Sequence, residues 1–192
     1  MTRRLLIAGV GNIFLGDDGF GVEVARRLTD ADLPDWAHVV DYGIRGMHLA
    51  YDLANGYGAM ILIDATARGG APGTIYVIEP DLGPAMSETA DGEGTAEPDL
   101  ANNPLFNAHG MQPDVVFSML GMLDAGSREV LVVGCEPATV DYGIGLSAPV
   151  AGAVDEAVRV VLDLVADAAA SGDEHHLVTK VKEGSHVPRN SG

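Results

Sequence analysis

Asp18, Asp41 and Asp64 each lie at or just after the end of an apolar run, and His109 stands just ahead of a helical pattern. Asp64 follows Met60-Ile61-Leu62-Ile63, a depth at which a bare carboxylate is costly unless it has a partner. Together Asp18, Asp64 and His109 make an oxygen, oxygen, nitrogen donor set with coordination positions left open. Such a set suits a borderline divalent ion such as nickel or zinc. Each residue also has an ordinary reading. Asp17 or Asp18 can cap a helix, Asp64 can accept hydrogen bonds from a turn, and His109 can be a polar loop residue. The spacing alone does not decide between these.

The elements that must position these residues follow from periodicity. Leu5, Leu6, Ile7, Ala8 and Val10 read as a buried central strand, followed by a tight turn at Gly9 and Gly11. Asp17 and Asp18 then open a helix with Val22, Ala25 and Leu28 on its inner face. A dinucleotide site would need a third glycine where Phe14 stands, and the acidic pair would repel a pyrophosphate. Further strands are expected at Ala37–Asp41, Ala59–Ala65, Thr74–Ile78 and Glu129–Gly134. Helices are expected at Met47–Ala54, at Gln112–Asp124, and from Ser147 to near Gly172. This alternation predicts an α/β fold: a mostly parallel twisted sheet of about five strands, flanked by helices on both faces. In such a sheet, ligands gather beyond the carboxyl ends of the strands, which is where Asp18, Asp41 and Asp64 fall.

The 192 residues suit one domain over 1–172, with an acidic loop insertion at about 81–107 and a disordered tail at 173–192. The histidines His175, His176 and His186 fall in that tail, away from the candidate site. A formal charge of −17 disfavours nucleic acid and anionic membranes as partners. Cys135, the single cysteine, ends an apolar run and reads as a buried thiol, with no disulfide framework. The N-terminal apolar run is broken too early for a signal peptide, and no stretch is long enough to cross a bilayer, so a cytoplasmic monomer is the expectation. Neither Ser118 nor Ser147 sits in a nucleophile elbow.

Taken together, Gly9-Val-Gly-Asn-Ile-Phe-Leu-Gly-Asp-Asp-Gly-Phe-Gly21, Asp41-Tyr-Gly-Ile-Arg-Gly46, Ile61-Leu-Ile-Asp64-Ala, His109 and Gly143-Ile-Gly-Leu-Ser147 resemble the [NiFe]-hydrogenase maturation endopeptidases. The resemblance runs from Arg3 to about Ala166, the acidic loop excepted. It implies removal of a C-terminal extension from a hydrogenase large-subunit precursor after nickel insertion. The metal is then nickel borne by the substrate, with another divalent ion such as zinc as the alternative. By motif position, Asp18, Asp64 and His109 match the family's metal-contacting residues, with Asp18 in a place where Glu also occurs. Asp41 matches an acidic residue beside the substrate loop, here Tyr42, Gly43, Ile44 and Arg45, and joins Asp18 and Asp64 as a candidate for catalysis. Tyr42 and Ile44 depart from the Gly and Thr frequent in that loop, which bears on the choice of precursor. A nickel-dependent assembly factor that binds the precursor without cutting it is the alternative reading.

Overall fold

Apolar side chains of β1 (Arg4–Val10) alternate between two cores, as period-two geometry requires of a strand covered on both faces. Leu5 and Ile7 enter one core, Leu6, Ala8 and Val10 the other. The same alternation continues through β3 (Tyr57–Ala65) and β5 (Glu129–Cys135), whose odd-numbered apolar residues join the first core. The computed structural model describes residues 4–54, 56–80 and 129–170. The expected acidic loop, the helix at Gln112–Asp124, His109 and the tail lie outside the described residues.

Five strands form one sheet in the order β2-β1-β3-β5-β4, with β2 at Ala37–Gly43 and β4 at Ile75–Ile78. All neighbours are parallel except β4, an edge strand that runs antiparallel to β5. The expected mostly parallel sheet is therefore present, made mixed by β4. Helix α1 (Phe20–Leu28) and the long α3 (Ala148–Ala170) pack on one face through Phe20, Val24, Leu28, Val154, Ala157 and Val161. Helix α2 (Gly46–Ala54) covers the other through Leu49 and Leu53. No helix among the described residues is long and apolar enough to cross a membrane.

Two differences from the sequence reading bear on the site. Strand β2 runs on through Tyr42 and Gly43, because a register shift at Gly9/Val10 sets Val10 opposite Gly43 and the Gly11 N–H donates to the Gly43 carbonyl at 3.0 Å. The aspartate pair does not open α1. It sits in a preceding 3-10 turn, Gly16–Gly19, and no side chain caps either helix start.

Strand order makes the location of the site. From β1 the chain crosses to β2 on one side, whereas β3 leads away to the other side of the sheet. The connections diverge between the carboxyl ends of β1 and β3, leaving the crevice in which open α/β sheets bind ligands. Gly21 lets α1 close one wall of it. A Cβ there would lie 2.1 Å from the Ile63 carbonyl oxygen and 2.4 Å from that of Val10, so helix and sheet meet backbone to backbone.

Candidate active site

The turn from Gly11 to Gly19 carries both members of the aspartate pair and gives them opposite tasks. Asp17 is fully buried. Its Oδ2 accepts from the Ala138 N–H at 2.8 Å, the Thr139 N–H at 3.1 Å and the Ser147 hydroxyl at 2.9 Å. Its Oδ1 accepts from the Ser147 N–H at 2.6 Å, at the head of α3. Burial alone would raise its pKa, but these hydrogen bonds outweigh burial and hold the carboxyl below its ordinary value. Asp17 is a structural anion. The capping role that the sequence left open for either aspartate belongs to Asp17, and the helix it serves is α3.

Asp18 faces the crevice side of that turn. Its Oδ2 accepts a single described hydrogen bond, from the Asn12 N–H at 2.6 Å. Gly11 makes room for this geometry with a φ of 127°, where a Cβ would lie 1.8 Å from the Asp18 carbonyl oxygen. Burial raises the Asp18 pKa, opposed by the Asn12 bond. Asp64 ends the apolar run of β3 and is 1 % exposed, and its Oδ1 accepts from the Ala65 N–H at 2.8 Å. Burial first, then the Asp18 charge, push its carboxyl well above the usual carboxylate range, with the Ala65 bond opposing. Beside it, the Thr66 hydroxyl is buried with no hydrogen-bond partner among the described residues, against the backbone of Gly134. The structure thus brings two under-compensated carboxylates to the mouth of the β1/β3 crevice, each sensing burial and one sensing the other. A divalent cation between them would relieve both penalties, so the donor set fits one.

Asp41 lies at the same sheet edge, half-exposed, with Arg26 Nε 3.9 Å from its Oδ2. A Cβ on Gly43 would lie 3.7 Å from Asp41 Oδ1 and 3.8 Å from the Gly11 carbonyl oxygen, so Asp41 borders the Gly11 turn that also carries Asp18. Of the expected substrate loop, Tyr42 turns inward. It is 2 % exposed and donates from its hydroxyl to Asp52 Oδ2 at 2.7 Å, and burial first, then this bond, raise its pKa. Gly43 takes a φ of 52° and turns the chain outward, leaving Ile44 in solvent. Arg45 is tied back, its Nε donating to the Tyr42 carbonyl at 3.0 Å and its guanidinium also to the Asp41 carbonyl. His109 lies outside the described residues, among which no group of three metal-ligating side chains converges.

One residue escaped the sequence reading. Glu136, directly after β5, is buried and accepts from the Arg68 N–H at 2.8 Å, the Gly69 N–H at 3.1 Å and the Tyr76 hydroxyl at 2.9 Å. Those bonds outweigh burial and lower its pKa. A polar residue ending a buried strand was the available signal, the same one that marks Asp64. Cys135 is buried as expected, and burial with the Asp17 and Glu136 charges pushes its thiol up to about 12.

The chain is 33 % identical over 164 residues to the "Putative hydrogenase maturation protease MJ0253" of Methanocaldococcus jannaschii, covering 83 % of this chain and 95 % of that one. The chain belongs to the hydrogenase maturation protease family. The family model described as hydrogenase maturation protease matches residues 22–91. The hydrogenase 2 maturation protease of Escherichia coli is 29 % identical to this protease over 160 residues, covering 83 % of this chain and 88 % of its own. Among solved structures, the hydrogenase maturating endopeptidase HybD of E. coli superposes with a TM-score of 0.63 at 28 % identity, over 88 % of this chain and 94 % of that one. The hydrogenase 2 maturation peptidase of a Thaumarchaeota archaeon gives 0.60 at 29 % identity, over 85 % and 99 %. The protein is a hydrogenase maturation endopeptidase, processing the C-terminus of the large subunit.

Proposed function

We propose that this protease selects its precursor by the nickel already seated in it, and that Asp18, Asp64 and His109 complete the coordination of that ion. The observation that carries this reading is the pair of carboxylates at the β1/β3 crevice. Asp64 is buried at the end of a strand, and the Asp18 charge opposes its ionisation. A cation arriving on the substrate removes that penalty, so binding energy depends on the metal. A precursor without nickel meets two carboxylates and no compensating charge, and it binds poorly. Discrimination between assembled and unassembled hydrogenase then follows from differential affinity.

Docking through the metal holds the scissile segment at the crevice, and positioning of this kind lowers the barrier. The cargo ion supplies Lewis acidity, and a carboxylate of the chain takes the proton of the attacking water. We assign that place to Asp41, which is half-exposed at the same edge and borders the Gly11 turn. Ile44 and the Asp41–Arg45 turn present the surface that meets the precursor beside the cut. Zinc in place of nickel would satisfy the same donors.

The test compares cleavage of nickel-loaded and nickel-free precursor by wild type and by His109→Ala. Wild type should cut the loaded form at least about a hundredfold faster, and the variant should lose most of that preference, the size expected when a metal ligand is removed. Equal cleavage of both forms by both proteins refutes recognition through nickel.

A further inference from the structure

The buried polar groups beyond the ends of β3 and β5 are not equally well served. Glu136 accepts from the Arg68 and Gly69 N–H groups and from the Tyr76 hydroxyl. Thr66 is different. Its hydroxyl oxygen is buried and has no hydrogen-bond partner among the described residues. A hydroxyl can both donate and accept, and burying one unpaired costs enough that native proteins seldom do it.

The register places this hydroxyl beside Asp64. Asp64 pairs with Gly134 across β3 and β5. Paired residues of neighbouring strands turn to the same face, about 4.8 Å apart. Gly134 has no side chain, and Thr66 fills the place where one would stand. A Cβ on Gly134 would lie 2.8 Å from Thr66 Oγ1 and 2.9 Å from Thr66 Cβ. Thr66 is also held in position. Its N–H donates to the Cys135 carbonyl at 2.8 Å, and Glu136 fixes the turn that follows through Arg68 and Gly69. A fixed, unpaired hydroxyl thus adjoins a buried carboxylate that accepts one described bond, from the Ala65 N–H.

We propose that the Thr66 hydroxyl is a further substrate-binding group, hydrogen-bonding a main-chain peptide group of the precursor segment that carries the ion to Asp64, an inference that rests on the function proposed above. The cation answers the carboxylate, and the neutral hydroxyl is matched by a neutral polar group arriving beside it. A peptide backbone offers both an N–H and a C=O wherever it runs. The bond then forms only in the complex, so the free protease gives up stability for binding.

Melting temperature and kcat/KM on nickel-loaded precursor are measured for wild type, Thr66→Val, Thr66→Ser and Thr66→Ala. Thr66→Val removes the hydroxyl and keeps the volume, whereas Thr66→Ser and Thr66→Ala differ by the hydroxyl alone. In both comparisons, losing the hydroxyl should lower kcat/KM about tenfold, the effect of one hydrogen bond lost with its partner left buried. Neither loss should lower the melting temperature. Equal kcat/KM with and without the hydroxyl overturns the proposal. So does a lower melting temperature for Thr66→Ala than for Thr66→Ser, which would put the partner, a residue or a buried water, inside the free protease. If Thr66→Val melts early because its methyl crowds Gly134, the serine and alanine variants decide alone. Wild type that prefers nickel-loaded precursor, with variants indifferent to the hydroxyl, refutes the Thr66 assignment alone. Wild type that ignores nickel in the precursor overturns the reading beneath it as well.

Discussion

Adjacent aspartates in this protease show how little a residue's type decides and how much its partners do. Asp17 receives hydrogen bonds from Ala138, Thr139 and Ser147, whereas Asp18 receives one described bond from Asn12. Asp17→Ala should lower stability by about 2–4 kcal/mol, since several buried donors lose a charged acceptor at once, and chemical denaturation would show it. Asp64 has the opposite balance. Asp64→Asn keeps an acceptor for the Ala65 N–H and removes a charge opposed by burial and by Asp18. Its stability at neutral pH should equal or exceed wild type by about 1 kcal/mol, while cleavage falls at least a hundredfold. Loss of stability together with activity would mean that Asp64 is structural. The pair was legible in the sequence as capping or ligation. Which aspartate does which was not, because Asp17's partners lie more than a hundred residues away along the chain.

Elements carry the site through contact between backbones. Helix α1 lies so close to β1 and β3 that Gly21 has no room for a methyl group. Gly21→Ala should therefore cost about 1–3 kcal/mol or more by forcing the helix outward, and nickel affinity should fall with it because α1 follows the Asp18 turn directly. An unchanged melting curve for this variant would show that helix and sheet have slack. Strand and helix positions were readable because period-two and helical spacing report local burial directly. The ends were less so. Tyr42 and Gly43 looked like loop because Gly43 signals a turn, yet pairing with the first strand extends β2 through both. Tyr42 likewise belongs to the core under α2 and not to the substrate surface, since its hydroxyl has Asp52 to satisfy it. That partner stands on the following helix and becomes visible only once strand and helix are packed.

At the scale of the whole molecule, acid stability separates anchoring carboxylates from the site. Glu136 is held below its ordinary pKa, so its contribution is present at neutral pH and is lost as pH falls through the folded-state value. Asp64, held above it, acts the other way: acid neutralises it and relieves the native state. Glu136→Gln should flatten the acid side of the stability profile, and Asp64→Asn should flatten its decline toward neutral pH, both readable from urea midpoints across pH 3–8. Identical profiles for the variants and wild type would contradict these assignments. The fold class could be read from alternation alone, and the crevice from the rule for open sheets. Strand order could not, because apolar runs do not state their neighbours, and the edge position of β4 comes from its antiparallel pairing with β5.

The central claim is that the Asp18 and Asp64 carboxylates share one cation. Anomalous diffraction at the nickel edge, from crystals of the protease grown with nickel, tests it most directly. A shared ion gives a peak within bonding distance of an oxygen from each carboxylate. A peak bound to only one of them, or bound elsewhere with the crevice empty, would contradict it.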